Sequence, residues 1–152
     1  SARRGMPAGM NLGRRASFLL PLSLVGCRKT ASPVAAAEAF LDAYYLERDH
    51  ARALKLCADA AEVRVRREQE LRAEAGGDYG VQPSVHYKPK SAKEAEGGGQ
   101  ELAYEVSIDS QGVRFRKTVL LRVRRYGEDW KVSNFAERDE SDGSDGREEA
   151  RP

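Results

Sequence analysis

Side chains able to do chemistry are few in this 152-residue chain, and they are widely spaced. The thiols are Cys27 and Cys57, and the histidines are His50 and His86. Those histidines lack ligand-like spacing to each other or to Cys57, so no metal site and no metal cofactor is expected. Gly97-Gly98-Gly99 follows charged loop residues, with no Lys-Ser/Thr after it. It reads as a flexible turn and not as a phosphate cradle. In an oxidising compartment Cys27 and Cys57 could form a disulfide. Cys57 follows Leu54 and Leu56 in a helical stretch, where a small buried hydrophobe is its expected role. Cys27 is different, because it ends the run Leu24-Val25-Gly26-Cys27 behind an apolar segment. The other chemically suggestive set is Arg114, Arg116, Arg122 and Arg124, a basic stripe along one side of a strand. It reads as a solvated sheet face partly paired by Glu105, or as a surface that rests on anionic headgroups or a partner.

The surroundings of Cys27 have three parts. Arg14 and Arg15 supply positive charge, and no acidic residue occurs before Glu38. Phe18, Leu19, Leu20, Leu22, Leu24 and Val25 form an apolar core interrupted by Pro21. A spanning helix needs about 20 apolar residues, so this core is too short for a mature transmembrane anchor. Small Gly26 lets the backbone enter a peptidase site. This arrangement resembles the bacterial lipoprotein signal peptide, with Leu24 to Cys27 as its lipobox. The resemblance implies diacylglyceryl transfer to the Cys27 sulfur, cleavage between Gly26 and Cys27, and acylation of the new amino terminus. Two or three acyl chains give lasting attachment where one does not. The implied partner is a lipid bilayer and the implied location is the bacterial cell envelope. Either membrane facing the periplasm, or the outer face of a single membrane, would serve; Arg28 is not the aspartate that retains many such proteins at the inner membrane. Lipidation would also remove Cys27 from any disulfide with Cys57. Residues before Met10 read as an upstream extension, with Met6 as the alternative start.

Charge follows the same division. The chain is formally +2, but residues 1–29 carry +6 and residues 137–152 carry −4, leaving 30–136 neutral. A global electrostatic case for nucleic acid is therefore absent, and no nucleic-acid partner is expected. The expected organisation is a signal peptide with its extension over 1–26, a lipidated cysteine and tether over 27–32, one domain over 33–136, and an acidic disordered tail over 137–152.

The elements of that domain fall into two halves. Ser32 is placed to cap a helix with Pro33 at its first position, and Ala37, Phe40, Leu41, Tyr44 and Tyr45 make one apolar stripe. Asp49 can cap a second helix through Ala51, Leu54, Cys57 and Ala58. Asp59-Ala60-Ala61-Glu62 reads as a variant capping box that starts a third, carrying Val63, Val65 and Leu71 to Gly76-Gly77. From Val85 onward the apolar period becomes two, which predicts an antiparallel sheet with one buried face. Matching apolar faces pairs Ile108 with Val113, Val106 with Phe115, Tyr104 with Lys117 and Leu102 with Val119, across a loop Asp109-Ser110-Gln111-Gly112. On the outer face this sets Glu105 against Arg116. The next hairpin, turning at Tyr126-Gly127, puts Trp130 beside Val123, Val132 beside Leu121 and Asn134 beside Val119.

The segments Ala36-Ala37-Glu38-Ala39-Phe40-Leu41-Asp42-Ala43-Tyr44 and Asp49-His50-Ala51-Arg52-Ala53-Leu54 resemble the opening of cystatin-like cone domains. These form the nuclear-transport-factor-two-like superfamily. Gly127-Glu128-Asp129-Trp130-Lys131-Val132-Ser133-Asn134-Phe135 is similar to its last strand. The resemblance covers about residues 33–136 and implies an α+β fold, N-terminal helices packed on a curved antiparallel sheet around a pocket. It does not imply an activity. Isomerase-like members use a general-base aspartate with tyrosine or acid donors. Here Tyr104, Lys117 and Asn134 are expected on the inner face, with Tyr44 or Tyr45 closing one end. Asp109 and Asp129 lie at turns and Asp42 lies off the stripe, so no catalytic residue is assigned. The function expected is a non-catalytic envelope lipoprotein that binds a protein or small apolar ligand, without a cofactor. The alternative is a small isomerase- or lyase-like enzyme, which requires a carboxylate inside the cone near Tyr104 or Lys117.

Overall fold

The computed structural model describes residues 31–76 and 81–140. Cys27, Gly26 and most of the acidic tail lie outside these residues. Three helices come first: α1 (Pro33–Leu41), α2 (His50–Leu56) and α3 (Asp59–Glu74). Four strands follow: β1 (Ser84–Glu94), β2 (Gln100–Ser110), β3 (Val113–Tyr126) and β4 (Asp129–Asp139). The class is α+β, as expected, with helices laid on one face of a curved antiparallel meander ordered β1-β2-β3-β4.

Local chemistry explains two of the three helix starts. The Ser32 side chain accepts from the Ala35 N–H at 3.1 Å, and Pro33 follows where its missing N–H costs nothing. Asp49 accepts from the Arg52 N–H at 2.9 Å. The anticipated capping box at Asp59 does not form. Ala58 is the residue before α3, with no side-chain cap. Asp59 itself takes a positive φ of 53°, and its carboxylate accepts from the Tyr126 hydroxyl. That tertiary bond displaces the local one. On α3, Ala61 and Val65 are buried, whereas Val63 and Leu71 face solvent at 69% and 55% exposure.

Between helices and sheet the space is filled. Phe40, Leu41, Val65, Tyr104, Val106, Val119, Leu121, Val123 and Val132 are all essentially inaccessible. At about 1.5–3 kcal/mol for each large apolar side chain buried, this layer is the main source of stability.

Both hairpins depart from the expected register. Across β2 and β3, Ile108 opposes Phe115, Val106 opposes Lys117, Tyr104 opposes Val119 and Leu102 opposes Leu121. The strands have slipped by two residues, which keeps every side chain on its expected face. The loop shortens to Gln111-Gly112, with φ of 50° and 80°, the positive values that a two-residue type I′ turn requires. Glu105 accordingly opposes Thr118 and not Arg116. The β3–β4 turn is Gly127-Glu128, which sets Arg125 against Trp130 and Val123 against Val132. A bulge at Ser133 then moves Asn134 opposite Arg122, onto the outer face and away from Val119. Past the bulge, Phe135 and Glu137 point inward, and Glu137 opposes Val119. Strand pairing continues to Asp139, so Glu137, Arg138 and Asp139 belong to the sheet and not to the tail.

The sheet edges are closed in different ways. Cys57 bridges Val132, and the Ala58 N–H donates to the Val132 carbonyl at 2.9 Å, covering β4. The β1 edge carries Pro89, a bulge at Lys90, and Lys88 and Lys93, devices that discourage strand addition. Gly99 at φ 85° brings the β1–β2 loop against β3, where a Cβ would lie 2.2 Å from the Val123 carbonyl oxygen.

Candidate functional site

After α1 the helix widens into a single π turn over Asp42–Leu46, where the Glu47 N–H donates to the Asp42 carbonyl at 2.8 Å. The extra residue held in this turn lets neighbouring Tyr44 and Tyr45 both face inward, each 8% exposed. Tyr44 stacks on Phe40 at 5.4 Å, meets Tyr45 edge-on at 4.7 Å, and packs against Phe135 at 5.2 Å.

The two hydroxyls reach two carboxylates. Tyr44 donates to Glu68 of α3 at 2.5 Å, and Tyr45 donates to Glu137 of β4. Arg64 lies between these acids, 3.8 Å from Glu68 and 3.6 Å from Glu137. Its guanidinium covers the Phe135 ring at 4.2 Å and donates to the Phe135 carbonyl at 3.2 Å. Lys117 Nζ is 3.2 Å from Glu137 and 4.9 Å from the Tyr45 ring centre. Buried His50 adjoins the group, with Nδ1 3.2 Å from the Arg48 carbonyl and Nε2 3.6 Å from Glu68. Helical, π-helical and strand elements all contribute to this one network.

Its protonation states follow from these contacts. Burial raises the Tyr44 and Tyr45 pKa values, and the adjacent carboxylates raise them further, so both hydroxyls remain neutral donors. Burial alone would push Glu137 upward. The Tyr45 hydrogen bond and the charges of Lys117 and Arg64 outweigh it, and its carboxyl sits below the ordinary value of 4.5. Tyr87 and Tyr126 repeat the pattern by donating to Asp42 at 2.8 Å and to Asp59. Among the described residues, Tyr44, Tyr45, Tyr87 and Tyr126 therefore tie the helical layer to itself or to the sheet through carboxylates.

The expected pocket residues are thus dispersed. Tyr104 is 2% exposed in the core, its hydroxyl pushed up to about 12 by burial and by Glu38. Lys117 and Tyr44 share the network through Glu137, Arg64 and Glu68, whereas Asn134 is on the opposite face. Glu68, Arg64 and Glu137 were not anticipated. The i,i+4 spacing of Arg64 and Glu68 was a visible signal for the first two. Glu137 was hidden by the acidic composition of the residues after it.

Two surface hollows lie away from this network. One, of about 650 Å³, runs along α3 between Asp59, Glu62, Arg66 and Glu70. The other, of about 430 Å³, lies on the outer face over Ala103, Leu120 and Ala136. On that face Arg114 pairs with Asp109 at 2.7 Å and Arg122 with Glu101 at 3.1 Å. Among the described residues, no group of three or more His, Cys, Asp or Glu side chains is arranged to hold a metal. No helix among them is long and apolar enough to cross a membrane. No protein family, curated protein or solved structure matches the chain.

Proposed function

We propose that the chain is a bacterial envelope lipoprotein, anchored through Cys27, whose α+β domain is a cystatin-like cone acting as a non-catalytic binding or interaction module. The anchor reading is carried by Leu24-Val25-Gly26-Cys27 behind its arginine pair and apolar core. The module reading is supported by one structural observation, the state of Glu137. This carboxylate lies beside Lys117, where the isomerase- or lyase-like alternative needs a base. It is nevertheless engaged by Tyr45, Lys117 and Arg64 and held below the usual carboxylate range. A carboxylate so stabilised is a weak base at neutral pH. The network fits a structural clamp better than a proton-transfer pair, and leaves recognition of a protein or small apolar ligand to the surfaces.

Mass spectrometry of the protein from producing cells, with and without globomycin, tests the anchor. Accumulation of the uncleaved, diacylglyceryl-bearing form under the inhibitor is the expected result, and an unchanged mass would refute lipidation. Native mass spectrometry for a co-purified ligand tests the module. Turnover of a carbonyl substrate that disappears in Glu137→Gln would favour the enzyme instead.

A further inference from the structure

The two faces of the domain differ sharply in charge. By strand register, the outer face carries Lys88, Lys93, Arg114, Arg116, Arg122, Arg124, Lys131 and Arg138 against Glu101, Glu105, Asp109 and Asp129. Lys90 and Glu140, which meet at 2.8 Å beside Thr118, add one charge of each sign. The outer face therefore holds nine cations and five carboxylates, an excess of four positive charges. All other described residues together hold nine Lys/Arg and fourteen Asp/Glu. Among the described residues, a domain that is nearly neutral in total is thus polarised, basic on the outer sheet face and acidic around the helices.

We infer that the outer sheet face is a docking surface for anionic lipid headgroups, so that the domain lies sheet-down on its membrane. The inference rests on the anchor reading for its proximity to a bilayer, and on the charge distribution for its orientation. Coulomb attraction draws the basic face towards an anionic surface and repels the helical side. The face also suits contact by its shape: the row Ala103, Leu120, Ala136 is low and apolar, and the arginines flank it. Asp109 and Glu101 offset Arg114 and Arg122 only in part, because the excess remains after every carboxylate on the face has been counted. Reach is sufficient as well. Residues 28–32 separate Cys27 from α1, and a five-residue segment can span at most about 18 Å at ~3.5 Å per residue. That exceeds the ~10 Å thickness of the helical layer the chain must pass.

Vesicle co-sedimentation tests this with the full chain carrying Cys27→Ser. It compares vesicles of phosphatidylcholine alone with vesicles containing phosphatidylglycerol, at low and high salt. The apolar segment before Cys27 is present in every variant, so its contribution cancels between them. The parent should prefer the anionic vesicles and lose that preference at high salt. Arg114→Gln, Arg116→Gln, Lys131→Gln and Arg138→Gln combined should weaken partitioning into anionic vesicles at least tenfold, with a cooperative melt confirming the fold. An equal charge removal on the helical side, Arg48→Gln, Lys55→Gln, Arg67→Gln and Arg72→Gln, should leave it within about twofold. Equal loss from both sets, or no preference for anionic vesicles, overturns the inference, as does a preference for an anionic protein with none for lipid. Lipidation is read separately by mass. An unlipidated Cys27 with the vesicle preference intact removes only the anchor, and a lipidated one without the preference removes only this surface.

Discussion

Replacing Glu137 by Gln preserves shape and removes charge, which makes it the sharpest probe of the inner network. Three interactions change together. The hydrogen bond from Tyr45 ceases to be charge-assisted, a loss of about 1 kcal/mol given roughly 1.5–3 for charged and about 1 for neutral bonds. The contacts with Lys117 at 3.2 Å and Arg64 at 3.6 Å are partly solvated, and each contributes on the order of 0.2–1 kcal/mol. The expected cost at pH 7 is about 2 kcal/mol, or roughly 10 °C in the melting of a domain of this size. Urea unfolding measures the first and thermal circular dichroism the second. The cost must also depend on pH in a set direction. Glu137 has a folded pKa below its ordinary value of 4.5, so its contribution is complete above about pH 4.5 and declines as pH falls towards the folded value. Parent and variant should therefore converge in acid. A cycle with Tyr45→Phe should return a coupling of about 1 kcal/mol. A variant within 0.3 kcal/mol of the parent at pH 7, with parallel acid profiles, would show that the network is geometrically present and energetically idle.

Three further expectations concern the scaffold. Phe40→Ala empties the centre of the helix–sheet layer and should cost about 3–5 kcal/mol in urea unfolding. Gln111→Asn supplies a residue better suited to positive φ in the β2–β3 turn, and should raise stability by roughly 0.5 kcal/mol; a loss would mean that the turn is not of the type I′ class. The Cys57 thiol, buried and with its pKa pushed up to about 11 chiefly by burial, should react with an aromatic disulfide at pH 8 only as fast as the domain opens. A stoichiometric burst from the native protein would contradict its placement.

How far the sequence revealed the fold depends on which competing choices it could separate. Helical starts at Ser32 and Asp49 were legible because each cap is decided within four residues. Faces of the strands were legible because alternation of period two is local. Register was not, since a slip of two residues leaves the same side chains buried and hydrophobic matching cannot tell the alternatives apart. Turn chemistry at Gln111-Gly112 and the Asp109–Arg114 and Glu101–Arg122 pairs decide it instead. Beyond the second hairpin, the Ser133 bulge reverses the parity of everything after it. That single residue is why strict alternation places Asn134 on the wrong face and leaves Glu137 looking like tail. Asp59 shows the remaining kind of failure, a local cap motif overridden by a distant tyrosine.

The π turn at Asp42–Leu46 has a consequence for engineering. Such a turn is an α-helix that has accepted one additional residue, and removing one of the five would restore regular winding. Regular winding can aim only one aromatic ring at this spot, so one of Glu68 and Glu137 would keep its tyrosine and the other would lose it. The domain is therefore less tolerant of a single deletion here than of many substitutions.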